Sequence, residues 1–535
     1  MATQDYWAEP PINRHQSVLF APTLDETIGD DDPVRLVDEV LGGIDWSTFE
    51  AQYDGTKGQP AIHPRYVAAG ILYGLCRGIR SSRKLEEACR YRVDFMWLVE
   101  NRQMDHSTFA KFRVKFARPL KDLFKQIGRV AMTLGLVRLG EVAFDGTRVK
   151  ANNSRYATRT AKTLEEKLQV LDTLFDQMMA EAEAADRDHQ TQKTLDGHDD
   201  DSPTRLPDSL ANLEERRVQV RAALERAKAA DHARRKDGID PEKRPAQVPT
   251  TDSDSRVMPN KEGGYAPNYT PVATTDGHRG FIVDVEVTGK VNESDEAVAS
   301  VDRIEETFGE KPDKFLTDGG NNSGQVMLEM EAREVEFYAP VTSDQQESNP
   351  RYRDDPSQPV PQEEWCKMRR NSQGRLDKSS FVYDADQDQY YCPQGHAMPF
   401  DKMKPGERSG VRVTLRVYRC NACDGCPLAS DCISPTNKHG RTITRDGYEE
   451  VRARTAQRMA QDGAREIYNQ RPRIAETPFG ILKSIMGVRQ FLLRGLPKVQ
   501  TEWRWAATAF NLGKLAREIG RLRAEFAELA TGAEG

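Results

Sequence analysis

The chain has 535 residues, 37% of them hydrophobic and 30% charged, which describes a globular, soluble protein too long for one ordinary core and suggests three or four structural units. No apolar run approaches the roughly 18 residues that span a bilayer, and the N-terminal MATQDYWAEPPINRHQ lacks the basic and apolar regions of a signal peptide, so a cytoplasmic location with no membrane partner is expected. The formal net charge of −7 argues against a uniformly polyanion-binding surface, yet residues 437 to 523 hold 18 Lys/Arg against 8 Asp/Glu. Such a local excess suits a phosphate-facing region, and also a helical segment with a solvated basic face.

Residues 60 to 135 read as a helical pack, because apolar residues in PRYVAAGILYGLCRGI and RKLEEACRYRVDFMWLV recur at spacings of three and four. Within it, QMDHSTFAKFRVKF offers Asp105 or Ser107 as the N-cap of a helix carrying Lys111, Arg113 and Lys115. A basic, capped helix following another helix fits a helix-turn-helix DNA reader, and fits ordinary helical packing equally well. Residues 139 to 150 then read as a strand in which Val142, Ala143 and Phe144 run into one carboxylate, Asp145.

The partner strand does not come next in the chain. Residues 163 to 185 and 207 to 236 carry Leu and Ala among Glu, Arg and Lys, the pattern of two long helices in an antiparallel hairpin. The polar stretches DGHDDDSPT and GIDPEKRPAQVPTTDSDS read as loops or linkers. Strand signals resume in NYTPVATTD and HRGFIVDVEVTG, parted by a turn at Asp276 and Gly277. A helix in DEAVASVDRIEETFG, a strand in KFLTDGG that runs into Asp318, a helix in GQVMLEMEARE and a strand in VEFYAPV complete the series. With the charged hairpin excised the order is βββαβαβ, with an acid ending the first strand and another ending the fourth, the layout of an RNase H-like α/β domain.

Eight cysteines are unevenly spread. Cys76 and Cys89 sit in the helical pack and read as small core residues, Cys366 is isolated, and Cys392, Cys420, Cys423, Cys426 and Cys432 crowd into YYCPQGH and YRCNACDGCPLASDC. Two successive Cys-x-x-Cys spacings present thiolates to a tetrahedral ion, so a structural Zn²⁺ is expected, with reduced, metal-free cysteines as the alternative. Five cysteines and His396 exceed the four ligands such a site needs.

Downstream, REIYNQRPRIAETPFGILKSIMGVRQFLLRG places Tyr468, Arg471, Glu476 and Lys483 in one short stretch. Seven helical steps bring Glu476 and Lys483 within about 20° of the same face. Thr477 and Pro478 look like an N-cap and first helical residue, which would set Glu476 at the mouth of a helix. A capped surface helix with chance charges would look the same.

With these motifs in order, the sequence resembles the bacterial insertion-sequence DDE transposases, specifically those with a Tyr-Arg-Glu-Lys signature and a cysteine-rich, zinc ribbon-like insertion. DHSTFAKFR, FDGTRVKANNS, TDGG, YRCNACDGCPL, YNQRPRIAETPFGILK and LRGLPKVQTEWRWAATAFNLGKL all carry the resemblance, over roughly residues 17 to 516. One departure is Asn321, where a Tyr commonly follows the second-acid Gly; Asp318 itself is in place. The resemblance implies a multidomain protein: a helical N-terminal DNA-binding region (1–136) and an RNase H-like α/β catalytic domain, a mixed central sheet flanked by helices, in three parts (137–160, 256–345 and 446–525). A charged helical hairpin and linker (161–255) and a cysteine-rich zinc-binding insertion (346–445) interrupt it.

It further implies that Asp145, Asp318 and Glu476 hold two Mg²⁺ or Mn²⁺ ions, and that Tyr468, Arg471 and Lys483, with Lys111 and Arg113 from the N-terminal region, contact DNA. Hard divalent ions take carboxylate oxygens, and in-line phosphoryl transfer needs position and charge neutralisation more than covalent chemistry. The expected reaction is cleavage at element ends followed by attack of the 3′-hydroxyl on target DNA, by a homodimer or higher homo-oligomer on double-stranded DNA in the bacterial nucleoid. No Gly-Lys-Ser/Thr phosphate loop is apparent, so no nucleotide cofactor is expected. With metal activation, His106, His278, His396 and His439 are read as structural or DNA-contacting, and Trp503 and Trp505 as packing residues. A nuclease with the same three acids and no joining activity, or an inactive zinc-containing DNA-binding regulator, are the alternatives.

Overall fold

The computed structural model describes residues 22–53, 60–154, 156–196, 208–236, 238–260, 263–290, 293–340, 353, 355–408, 411–434, 437 and 439–532. The chain divides into two compact units, Met1–Ile127 with Leu482–Val488 and Arg504–Gly535, and Gly128–Ile481 with Arg489–Trp503. The stretch 446–525, expected to complete the catalytic domain, is thus shared between them. No helix among the described residues is long and apolar enough to cross a membrane.

The first unit is helical. Asp32 caps Pro33–Gly42 by accepting from the Val34 amide at 2.8 Å, and Pro64 opens Pro64–Cys76 behind His63, each proline occupying a first-turn position where its missing N–H costs nothing. Gly74 is obligatory because a Cβ there would meet the Leu85 side chain at 2.3 Å, so the Ser82–Tyr91 helix lies directly on its backbone. Asp105, not Ser107, is the N-cap of His106–Lys115, accepting from the Thr108 amide at 2.6 Å. Phe49, Phe112 and Phe116 stack in the core, and buried Trp505 donates to the Arg113 carbonyl at 3.3 Å.

The second unit is built on a mixed sheet. Its strands are β1 (Glu141–Gly146), β2 (Val149–Lys150), β3 (Arg256–Pro259), β4 (Tyr265–Asp276), β5 (Ile282–Thr288), β6 (Lys314–Leu316) and β7 (Glu336–Tyr338). Across the sheet the order is β5-β4-β1-β6-β7, with β2 and β3 also pairing with β4. β4 is antiparallel to β1 and β5, whereas β1, β6 and β7 are parallel. Val142, Ala143 and Phe144 are fully buried, as parallel strands covered on both faces require. On one face Phe144, Phe315 and Phe337 stack across the three parallel strands at 5.9 and 6.5 Å between centroids. The Ser294–Phe308 helix packs on β5 and the Gly324–Ala332 helix on β7.

Two insertions carry their own cores. The helices Ala161–Asp196 and Asp208–Lys236 pack on each other, and Leu164, Leu168, Leu171, Phe175 and Met178 line the first helix's seam. Their alternating spacing of four and three is the heptad pattern of a coiled coil. Arg217 of the second helix lies over the Phe175 ring and pairs with Asp172, and Lys228 pairs with Glu165, which fixes the pairing as antiparallel. The first helix runs eleven residues beyond the end expected from sequence. At the hairpin's base Thr158–Arg159 pairs with Val248–Pro249. The cysteine-rich segment forms two small three-stranded sheets around buried Tyr390, Met398, Tyr418 and Leu428.

The segment TTDSDS, expected as loop or linker, is a loop that works as a structural clamp. Asp252 is 1% exposed; its Oδ1 accepts from the Tyr269 hydroxyl at 2.6 Å and from the Gly495 amide at 3.1 Å. Its own amide donates to the Asn153 side chain, and Asp254 accepts from the Leu496 amide at the start of the last helix. A carboxylate at a helix N-terminus satisfies orphan amides and complements the helix dipole. Asp252→Ala would leave the buried Tyr269 hydroxyl without its acceptor, and we expect a loss of about 2–4 kcal/mol, read as a lower denaturant midpoint; an unchanged midpoint would remove Asp252 from this role.

Candidate active site

Two strands position the two aspartates. In the parallel β1–β6 pair Ala143 stands opposite Leu316. The pairing ends there: Asp145 follows two residues later within β1, and Asp318 follows two residues after Leu316, beyond the end of β6. Alternation along β1 puts residues 143 and 145 on one face. That face is covered: Ala143, Leu316 and Tyr338 cluster with Ala464, Ile474 and Ala475, and Ile467 and Tyr468 pack against them. The Arg471–Ser484 helix therefore packs on the face that bears Ala143 and Leu316, and Glu476 comes directly after its buried Ile474 and Ala475.

The local setting of each residue differs. Asp145 is 9% exposed and receives the Gly146 amide at 2.9 Å. The guanidinium of Arg471, itself mostly buried, approaches it with Nη1 3.8 Å from Oδ2, and that Nη1 makes no hydrogen bond. Asp318 is partly buried and caps a single turn, accepting at 3.0 Å from both the Gly320 amide and the Asn321 side chain. Asn321 is 1% exposed. The residue that departs from the resembled pattern thus orients the second aspartate, a role no local sequence signal discloses.

Glu476 is exposed, and it lies within the helix rather than at its mouth. The expectation of a helix start at Thr477 and Pro478 is corrected: Pro478 is internal, and the Thr477 hydroxyl donates to the Arg473 carbonyl at 2.6 Å. Packing of Ile474 and Ala475 on the sheet outweighs the hydrogen bond that an internal proline removes. Lys483 sits on the last turn of the same helix, in the segment that clusters with the first unit. Lys111 is exposed, while Arg113 turns inward and donates to the Arg80 carbonyl at 2.5 Å. Trp503 is buried, donating to the Val272 carbonyl at 3.2 Å and stacking on Phe479.

Among the described residues no group of three His, Cys, Asp or Glu side chains is disposed to hold a metal ion. The chemistry around Asp145 nevertheless fits a divalent cation. Carboxylates are hard oxygen donors, and the guanidinium of Arg471 stands 3.8 Å from the Asp145 carboxylate, at ion-pair distance but beyond hydrogen-bond reach. The cysteines show a comparable fit. All five, Cys392, Cys420, Cys423, Cys426 and Cys432, line one cavity of 20 Å³, about the room one water-sized occupant needs. None is in a disulfide. A hydrogen bond from Cys420 holds the Cys392 thiol down at about 6, whereas burial pushes Cys432 up to about 12. His396 is exposed and does not line the cavity.

Acids near strand ends, with Arg and Glu on a covering helix, are residue types that metal-assisted phosphoryl transfer uses. Residues 391–516 match the family described as "Transposase DDE domain", and residues 22–115 match "Transposase domain (DUF772)". The matched stretches are transposase domains, and a DDE domain implies an enzyme of phosphoryl transfer on DNA, of a class that uses divalent metal ions. No curated protein and no solved structure matches it. The first match contains the cysteine cluster, Tyr468, Arg471, Glu476 and Lys483; Asp145 and Asp318 lie outside both.

If Arg471 supplies the charge opposite Asp145 when metal is absent, Arg471→Met will be destabilised by about 1–3 kcal/mol in EDTA. Mn²⁺ should then raise its melting temperature more than it raises that of the wild type. Equal Mn²⁺-induced shifts in the two proteins would show that Arg471 does not occupy this role.

Proposed function

We propose that the protein is the transposase of a bacterial insertion sequence, cutting DNA at the element ends and transferring the exposed 3′-hydroxyl to target DNA. The observation that supports this reading is the parallel β1–β6 pair: it runs as far as Ala143 and Leu316, Asp145 and Asp318 each follow two residues later, and the helix packed on that face carries Glu476. The strand order β5-β4-β1-β6-β7, with β1 central and antiparallel only to β4, supports an RNase H-like domain. Asp145, Asp318 and Glu476 would hold two Mg²⁺ or Mn²⁺ ions, which supply charge neutralisation for the attacking and leaving oxygens.

The remaining work falls to the chain's own side chains. Arg471, poised against Asp145, is placed to take a non-bridging phosphate oxygen, for which a planar guanidinium is well shaped. Tyr468 packs one helix earlier on the same apolar cluster, so its ring limits the approach of DNA to one side of the acids. Asn321 and the Gly320 amide hold Asp318 in one orientation, which spares the reaction that reorganisation. Lys483 and Lys111 supply further phosphate contacts; Arg113, engaged by a carbonyl, serves the fold of its own unit. The working form on paired DNA ends is a homodimer or higher oligomer, located with the bacterial nucleoid.

The cysteine cavity is read as a structural Zn²⁺ site that uses four of the five thiols. Elemental analysis of protein purified without chelator should give about one zinc per chain, and Cys423→Ser with Cys426→Ser should bring this close to zero. Zinc retained in full by the double variant would place the metal elsewhere.

The reaction itself is tested by joining of a labelled duplex, taken from the DNA flanking the coding region, to a plasmid in Mg²⁺ or Mn²⁺. Wild type should yield joined products, and Asp145→Asn, Asp318→Asn and Glu476→Gln should each lower the yield by about a thousandfold or more. Cleavage without joining would favour the nuclease, and equal activity in all four proteins would sink the triad.

A further inference from the structure

The segment just before the Ser294–Phe308 helix touches both aspartate-bearing strand ends. A Cβ added to Gly146, the residue after Asp145, would meet the Glu293 carboxylate at 2.6 Å, with its carbon and both oxygens within 2.7 Å. The carboxylate therefore lies against the backbone of Gly146, and a side chain there would displace it. Glu293 is 16% exposed and stands 3.7 Å from Arg148 on the same stretch of chain as Asp145. The next residue reaches the other aspartate's turn: the Ser294 hydroxyl donates at 3.2 Å to the carbonyl of Gly320, whose amide in turn holds Asp318.

We infer that Glu293 and Ser294 are positioning residues that join the Asp145 strand end to the Asp318 turn, and that the Glu293 carboxylate adds negative potential to the cation site formed there. The inference rests on the metal-binding reading of Asp145 and Asp318. Two separate contacts argue for it. Glu293 braces the first strand end through Gly146 and Arg148, and Ser294 braces the second through Gly320, so a shift of the helix start moves both aspartates together. A carboxylate, rather than an apolar side chain of similar length, in a mostly buried position favours an adjacent cation, because Coulombic attraction is poorly screened away from bulk water. In the sequence, Glu293 lies in the turn VNESDE, where it reads only as helix-start punctuation.

The test is direct Mn²⁺ binding, monitored by electron paramagnetic resonance on the full-length protein without DNA, with thermal melting in parallel. Glu293→Gln preserves shape and removes charge. We expect its Mn²⁺ affinity to fall by about tenfold with little change in melting temperature. Ser294→Ala, a smaller perturbation, should weaken Mn²⁺ by about two- to threefold. If Glu293→Gln fails to fold, Ser294→Ala decides by the same readout.

Wild-type affinity in the folded variants would overturn the inference. Asp145→Asn separates the positioning role from the metal site it serves. Loss of Mn²⁺ binding in that protein alongside wild-type affinity in the Glu293 and Ser294 variants would leave the metal site standing and remove their part in it. Unchanged Mn²⁺ binding in Asp145→Asn would remove the metal site itself, and this inference with it.

Discussion

The parallel pairing of β1 with β6 is the constraint on which the site depends. It joins residues more than 170 positions apart, Ala143 and Leu316, and each chain reaches an aspartate two residues further on. Because side chains alternate along a strand, this one register sets Ala143 and Leu316 on one face, while Phe144 and Phe315 stack on the other. A slip by one residue would send one aspartate into the aromatic layer. The aromatic stack and the Ala143–Leu316–Ile474 cluster hold the register from both sides. The apolar packing of the sheet and the geometry of its acids are therefore a single problem.

The helix above the acids illustrates the same coupling. Pro478 lies inside it, at the cost of a backbone hydrogen bond, and Thr477 donates to a carbonyl of the preceding turn. Burial of Ile474 and Ala475 against the strands compensates. Glu476 is left exposed beside this buried seam, and Arg471 reaches inward to Asp145 from the helix's first turn. Burying a guanidinium against a carboxylate is costly unless both charges are matched, and here Arg471 and Asp145 face each other at 3.8 Å.

The insertions disturb none of this because each closes its own core. The helical hairpin buries a heptad seam and returns the chain through a two-residue strand pair. The cysteine-rich segment folds around Tyr390, Tyr418 and Leu428. Beyond the hairpin the chain is held rather than slack. Buried Asp252 and exposed Asp254 tie β4, the stretch after Asp145 and the start of the final helix together. Such a polar knot binds three sequence-distant segments with few atoms, one oxygen of Asp252 accepting from two of them.

Much of the architecture was legible in the residues themselves. Alternating apolar runs fixed the strands, heptad spacing the hairpin, and Cys-x-x-Cys spacing the convergence of five thiols, because periodicity and short spacings are local and survive without tertiary context. The acids ending the first and fourth strands were visible for the same reason. The roles of Asn321, Glu293 and Asp252, the inward turn of Arg113 and the mid-helix place of Glu476 were not. Most depend on a partner far away in the chain: Glu293 on Gly146, Asp252 on Gly495, Arg113 on Arg80; Asn321 depends on the turn that brings it back onto Asp318, and Glu476 on a helix whose start is set by burial rather than by its best capping residue. The sequence by itself determined which elements form and which residue types the chemistry can draw on. Only the tertiary structure decided which polar side chains face one another, because that is set by strand register and helix docking, and these are properties of pairs of segments rather than of any one.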